Sequence, residues 1–297
     1  MDFIATIGFT KNMCLKSRLN TKTFTLFVLC ILSAPSSSGL ESHSISYLVN
    51  LMEESLAENK NLPKVSLLSD SLSLEDAYLI QRKFVARQGA GKISGYKGAF
   101  FDLSSRKKFN FAEPISGILK SGCVFTDGEV IKLENYPGLR LELELGFRLK
   151  QGIQLSSKNI NDLSTEWFEL VPVVEMPQIL FSSIKDIKAV DLIAGNVAAS
   201  CWLEGAPLFV SDFTELDQME VKMFVNEKMI EQVYGDYVGG QKDALTWLIK
   251  HLLSRKVRLK KGDLLITGKL GKIHNPYLGH YSVEYGSLSE LTFLVVE

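Results

Sequence analysis

Residues 139–149 read Leu-Arg-Leu-Glu-Leu-Glu-Leu-Gly-Phe-Arg-Leu. The alternation is strict: Leu139, Leu141, Leu143, Leu145, Phe147 and Leu149 face one way, and Arg140, Glu142, Glu144, Gly146 and Arg148 the other. That is the period of a β-strand with one face on a core. Glu142 and Glu144 are then neighbours on one face, roughly 6.5–7 Å apart at Cα. Carboxylates so close repel unless a cation, a proton or an arginine lies between them. A hard divalent cation such as Mg²⁺ suits the gap, because it prefers carboxylate oxygens and keeps water positions open. The alternative is a solvated strand face with Arg140 and Arg148 as counterions. A second apolar run, Glu169-Leu-Val-Pro-Val-Val-Glu175, ends in an acid before Met176-Pro177. An acid closing a buried strand needs a partner. If the two strands are adjacent, Glu175 completes a site of three carboxylates.

Upstream of these strands the character is helical. Ile45, Leu48, Leu51, Met52 and Leu56 recur at helical spacing, and Pro63 ends that region. Ser73-Leu-Glu-Asp76 reads as a capping box opening a helix with Ala77, Ile80, Phe84 and Val85 on one face. Gly89 and Gly91 stop it. From 121 to 225 short apolar or alternating runs (129–133, 139–149, 169–175, 219–225) are separated by Gly, Pro and Asn, the pattern of strands and turns. A later helix spans about 241–254 with Leu245, Leu248, Ile249, Leu252 and Leu253 inward. Strands follow at 264–266 and about 289–296. Helices first and strands later predict an α+β protein, not an alternating βαβ sheet.

The composition narrows the class further. Of 297 residues 46% are hydrophobic and 23% charged, enough apolar material for a core and too much for intrinsic disorder. A net charge of -1 leaves no basic surplus for a nucleic-acid backbone. The cysteines, at 14, 30, 123 and 201, form no CxxC, which argues against a thiolate zinc site. Cys123 and Cys201 can form one disulfide, a pairing that spacing leaves open. The first forty residues carry one acid, Asp2, and the bases Lys11, Lys16, Arg18 and Lys22. An apolar run, 24–32, and a small polar stretch to Gly39 follow. This is the order of a secretory signal peptide, 1–39, cleaved near Ser38 or Gly39. Export to a periplasm or the outside is expected, with a cytoplasmic protein carrying an uncleaved tail as the alternative. No other segment is apolar and long enough to span a bilayer, so no stable span remains after signal removal.

Six motifs occur in order: Gly95-Tyr96-Lys97-Gly98, Glu113-Pro114-Ile115-Ser116-Gly117, Leu141-Glu-Leu-Glu-Leu-Gly-Phe147, Val174-Glu175-Met-Pro177, Asp191-Leu-Ile-Ala-Gly-Asn196 and Leu264-Leu-Ile-Thr-Gly268. Together, over about residues 45–297, they resemble the 2-oxopent-4-enoate hydratase branch of the fumarylacetoacetate hydrolase superfamily. The resemblance implies a mixed β-roll domain, 121–297, behind a small helical N-terminal region, 40–120. It implies Mg²⁺ or Mn²⁺ held by Glu142, Glu144 and Glu175, with Lys97 beside a small 2-oxo acid substrate. It also implies a homo-oligomer and a lyase of aromatic catabolism. Asn196 and Gly268 fall at positions beside the substrate, although Asn196 also reads as a turn residue and Gly268 as a tight turn. Lys97, between glycines, reads as a pocket residue or as an ordinary surface lysine.

The sequence departs from the family pattern at three places. Ala112 stands where an acid precedes the Glu-Pro pair, so Glu113 is either its substitute or a turn cap. Ala198 and Ala199 replace a hydroxyl pair, with Ser200 next. Leu278-Gly279-His280 replaces a Pro-Gly-Asp turn. The four histidines have no metal spacing, none lies between His43 and His251, and no G-x-S-x-G occurs, which disfavours hydrolase chemistry. The expected function is a divalent-metal-dependent hydratase adding water to a 2-hydroxy-2,4-dienoate or 2-oxo-4-enoate. The alternatives are a 2-oxo diacid decarboxylase of the same family and a non-catalytic exported metal- and oxo-acid-binding protein.

Overall fold

The computed structural model describes residues 44–89, 91–154 and 160–297. The expected signal peptide, 1–39, lies outside them. Two helices open the described chain, α1 (Ile45–Ala57) and α2 (Leu74–Arg87). The capping box at α2 forms as read: Ser73 Oγ accepts from Asp76 N at 3.1 Å and Ser73 N donates to the Asp76 carboxylate at 3.0 Å. Then come β1 (Ile93–Ala99), α3 (Leu103–Phe109), β2 (Ile115–Lys120), β3 (Val124–Thr126), β4 (Val130–Lys132), β5 (Leu141–Leu149) and β6 (Phe168–Met176). They are followed by α4 (Ala189–Ala194), β7 (Cys201–Glu204), α5 (Phe213–Gln218), β8 (Glu220–Val225), β9 (Lys228–Tyr234) and α6 (Gln241–Ser254). β10 (Leu264–Ile266), β11 (Leu270–His274), β12 (Gly279–Tyr285) and β13 (Ser289–Val296) complete the chain.

The strands form two sheets. The larger, curled one runs β2-β1-β10-β5-β6-β7-β3, with β11 also paired to β5. The smaller runs β4-β13-β12-β8-β9. The apolar face of β5 (Leu141, Leu143, Leu145, Phe147) meets the second sheet through Tyr281, Val283, Leu291 and Phe293, and α6 closes this main core with Leu245, Leu248, Ile249 and Leu252. The inward residues read for α2 and α6 are all buried. The other face of the large sheet is also covered. Leu119, Val171, Val173, Trp202, Leu264 and Ile266 make a smaller apolar cluster inside the curl. A third layer, from α1, α2 and α4, packs Leu48, Met52, Ile80 and Phe84 against Phe181 and Ile187.

The helical region expected over 40–120 is shorter than that. β1 and β2 lie within it and belong to the large sheet, and the described residues from Ser44 on form one compact unit with no boundary at 120. The reason is local. β1 reads Ile-Ser-Gly-Tyr-Lys-Gly-Ala, with two glycines and no alternation. It becomes a strand because β10 and β2 flank it, a tertiary effect that outweighs propensity. Cys123 and Cys201 form a disulfide beside the β3–β7 pair, closing a separation of 78 residues. Such a cross-link stabilises by roughly 2–4 kcal/mol. Among the described residues no helix is long and apolar enough to cross a membrane.

Candidate active site

β5 and β6 pair antiparallel with Glu142 opposite Glu175 and Glu144 opposite Val173. Directly paired residues share a face, so all three carboxylates emerge on the concave side of the curl. One oxygen from each lies within 4.8 Å of the others. Glu144 and Glu175 have no solvent exposure and Glu142 has 8%. This rules out the solvated face. The arginines expected as counterions also point elsewhere: Arg148 grips the Glu204 carboxylate at 2.6 and 2.7 Å, and Arg140 donates to the Leu139 carbonyl at 2.7 Å.

The counterion is Lys97. It lies on β1 between Gly117 and Ile266, 3% exposed, and its ammonium forms an ion pair with Glu175 Oε2. Gly117 makes the approach possible, since a Cβ there would sit 3.0 Å from Lys97 Cγ and 2.8 Å from the Asn196 carbonyl oxygen. Gly268 follows β10 at φ +99°, a left-handed conformation that favours glycine, and its N–H donates to Glu144 Oε2 at 2.9 Å. It therefore orients a carboxylate. From the second sheet, the buried Tyr285 hydroxyl donates to the Val173 carbonyl at 2.7 Å, tying β6 in place beside the acids.

Two carboxylate oxygens, Glu144 Oε1 and Glu175 Oε1, are buried with no hydrogen-bond partner. Orphaned buried acceptors are costly. Three ionised carboxylates against one ammonium also leave two negative charges uncompensated. A divalent, oxygen-seeking cation meets both needs, so Glu142, Glu144 and Glu175 fit a metal centre of the Mg²⁺ type. The acidities agree with a site built for positive charge. Burial pushes the Glu142 carboxyl up to about 7, with Lys97 opposing and Glu175 adding. Burial and then Glu175 hold Glu144 well above the ordinary carboxylate range. Burial alone would depress the Lys97 ammonium, but Glu175, Glu142 and Glu144 outweigh it and raise its pKa, so it stays charged.

A cavity of about 150 Å³ opens from this cluster. Lys97, Glu142, Asp102 and Lys269 line its charged end. Lys269 follows Gly268, donates to the Gly271 carbonyl at 2.9 Å and lies 4.0 Å from Asp102. Asp102 caps α3 by accepting from Ser105 N at 2.7 Å. Neither was singled out from sequence; the one signal was the cation beside Gly268. Val197 and Ala198 form part of the wall. They belong to a turn in which Asn196, Val197 and Ala198 all have φ between +53° and +59°. Left-handed backbone costs roughly 1–2 kcal/mol per non-glycine residue. Asn196 holds the turn: its amide oxygen accepts from Ile118 N at 2.8 Å and its amide nitrogen donates to Ile118 O at 2.9 Å. Both amide groups bond β2, so Asn196 shapes the wall without itself lining this cavity. Glu113 is not brought to the site. It is exposed in the turn before β2 and does not line the cavity, because the chain neighbour Pro114 leads inward while residue 113 faces solvent.

No family model matches the chain. It is 21% identical over 261 residues to 2-oxo-hept-4-ene-1,7-dioate hydratase of Escherichia coli, covering 85% of this chain and 98% of that protein. It is 25% identical over 230 residues to the TodF product hydratase of Pseudomonas putida, covering 75% and 84%. Further relatives bear the name 2-keto-4-pentenoate hydratase. In structure it is similar to the 4-oxalocrotonate decarboxylase of Pseudomonas putida G7 complexed with magnesium and adipate, at a TM-score of 0.76 and 19% identity over 85% of this chain and 97% of that one. The fold is of the fumarylacetoacetate hydrolase type. The relatives named above are hydratases, and the family the chain resembles is that of the 2-keto-4-pentenoate hydratases.

The raised Glu142 pKa has a consequence for the metal-free protein. A carboxyl with a folded pKa of about 7 against an ordinary 4.5 binds protons on folding, so its contribution to stability falls as pH rises between those values and is flat above. In thermal melts with EDTA, the stability of the parent relative to Glu142→Gln is expected to fall from pH 4.5 to 7. Excess Mg²⁺ is expected to remove most of the fall. A difference that rises with pH would contradict the placement of this carboxyl.

Proposed function

We propose that the chain is a divalent-metal-dependent hydro-lyase adding water to a 2-hydroxy-2,4-dienoate or its 2-oxo-4-enoate tautomer. The observation that carries this is the buried triad of Glu142, Glu144 and Glu175, with two orphaned oxygens and the Lys97 ammonium across from them. The three carboxylates would hold Mg²⁺ or Mn²⁺, and the relatives' names supply the reaction type. When bound, such a cation supplies Lewis-acid polarisation of the carboxylate and keto oxygens of a 2-oxo acid. Lys97 keeps its proton at Nζ and sets positive charge where the enolate oxygen becomes negative during tautomerisation. Gly268 fixes the Glu144 carboxylate, and Phe100, Val197 and Ala198 keep bulk water from the reacting carbons.

A second reading, decarboxylation of a 2-oxo diacid, is favoured by one observation. Glu113 lies outside the cavity and Ala112 carries no acid, so the expected proton-transfer groups are missing there. Loss of carbon dioxide needs only the stabilised enolate and no base to deliver water. The experiment is the diene absorbance of 2-hydroxypenta-2,4-dienoate incubated with the protein and Mg²⁺. Loss of the band is expected, and a decrease of about a hundredfold or more in Glu142→Ala. Glu144→Gln is expected to weaken Mg²⁺ affinity more than it lowers fold stability. Turnover indifferent to EDTA and to Glu142→Ala would contradict the reading. Carbon dioxide release from 4-oxalocrotonate without loss of the diene would select the second one.

We also infer export. The residue order of 1–40 and the Cys123–Cys201 disulfide support it, because such bonds persist in oxidising compartments. The expected outcome is a mature protein outside the cytoplasm whose intact mass lacks about the first 39 residues. An intact, reduced, cytoplasmic chain would contradict it.

A further inference from the structure

We propose that the cavity takes a 2-oxo acid whose far end is an uncharged hydrocarbon, alkyl or aryl, and rejects a second carboxylate there. The proposal rests on the lyase reading of the triad and extends it to the substrate's tail. The cavity has two chemically distinct ends. Its cations, Lys97 and Lys269, stand beside the triad: Lys97 pairs with Glu175, and Lys269 follows the residue that bonds Glu144. Lys269 is moreover engaged by the Gly271 carbonyl and by Asp102. A substrate's 2-oxo acid head therefore belongs at this end.

The other end is made by Phe109, Phe181, Ile184, Ile187 and Leu192, and the one further polar side chain of the lining, Ser105, is paired with Asp102 at the charged end. Phe181 and Ile187 are 7% and 5% exposed and pack into the helical layer with Leu48, Ile80 and Phe84. Phe181 and Ile187 thus anchor this wall in a core, while Ile184 stands at its exposed rim. A carboxylate pressed against it would lose its hydration and meet no donor. A hydrocarbon of the same length would lose only water it does not bind. Three lysines, Lys108, Lys185 and Lys188, border an adjoining depression that shares Phe109, Ile184 and Ile187 with the cavity; all are exposed, and the Lys108 ammonium lies 5.6 Å from the centre of the Phe109 ring. A charge paired there stays solvated and gains little. Discrimination of this kind works by penalising the wrong ligand.

The test compares two unreactive ligands of equal chain length, 2-oxohexanoate and 2-oxohexanedioate, by titration calorimetry on the intact disulfide-bonded protein with Mg²⁺ and with EDTA. Binding of both is expected to require Mg²⁺, with the monoacid tighter by about tenfold or more. Ile184→Lys places an ammonium at the tail end, and Ile184 is 46% exposed, so the fold should tolerate it. The variant is expected to narrow or invert the ratio. Equal or tighter binding of the diacid to the parent protein overturns the tail assignment and leaves the triad reading standing. An unchanged ratio in folded Ile184→Lys overturns it as well. Failure of both acids to bind in Mg²⁺ overturns the triad reading and the tail assignment together.

Discussion

The register between β5 and β6 is the constraint on which the rest of the molecule depends. It sets Glu142 against Glu175, with Glu144 one pleat away, inside a sheet whose concave face is otherwise lined by Leu119, Val171, Val173, Trp202, Leu264 and Ile266. A slip of one residue would turn all the acids of one strand toward the main core. Three carboxylates in so dry a place are unfavourable for folding by themselves. They are tolerable because each has something to offset its charge: Lys97 for Glu175, the Gly268 N–H for Glu144, and a raised proton affinity for Glu142. Ionised together against the single Lys97 ammonium, the three acids would carry two uncompensated negative charges and two bare oxygens, and a divalent cation removes both. A site with this deficit trades stability of the empty protein for affinity and for a strong field in the cavity.

The surrounding scaffold holds that arrangement from several directions. β1 brings Lys97 to the curl only because Gly117 leaves space for its stem. The left-handed turn at 196–198 is held to β2 by the Asn196 amide and closes one wall. Gln81 of α2 bonds the Ser116 and Ile193 carbonyls at 2.9 and 3.0 Å, tying the helical layer to β2 and α4. The helical layer thereby supplies the apolar half of the cavity and the large sheet the charged half. Head-group chemistry and tail selection reside on different layers and can vary separately.

Much of this was legible in the chain. The strict alternation of 139–149 announces β5 and its paired acids, and the apolar run ending at Glu175 announces β6. The periodicity of α2 and α6 needs no tertiary information, and their inward faces are those read. What was not legible depends on contacts distant in sequence. β1 carries too few apolar residues to signal a strand, so Lys97 rests in the sequence on the resemblance and on its neighbouring glycines, which leave a pocket or a surface place open. Of the two readings of Glu113, substitute acid or turn residue, the structure favours the second, since the side chain is exposed before β2 and does not line the cavity. Of the two readings of Asn196, beside the substrate or in a turn, the structure bears the second, because its side chain ties a left-handed turn to Ile118, a partner 78 residues away. The cavity wall over 179–197 comes largely from irregular backbone with no period to read, and the Cys123–Cys201 pairing required the β3–β7 juxtaposition to be known.

One cation shared by three acidic side chains from two paired strands is what this site is expected to hold. Anomalous diffraction from crystals soaked in Mn²⁺ tests it most directly. A single peak within coordination distance of Glu142, Glu144 and Glu175 at once is the expected result, with Lys97 beside it and outside the coordination sphere. A peak that touches fewer than three of these carboxylates, or that lies elsewhere on the molecule at saturating Mn²⁺, would contradict it.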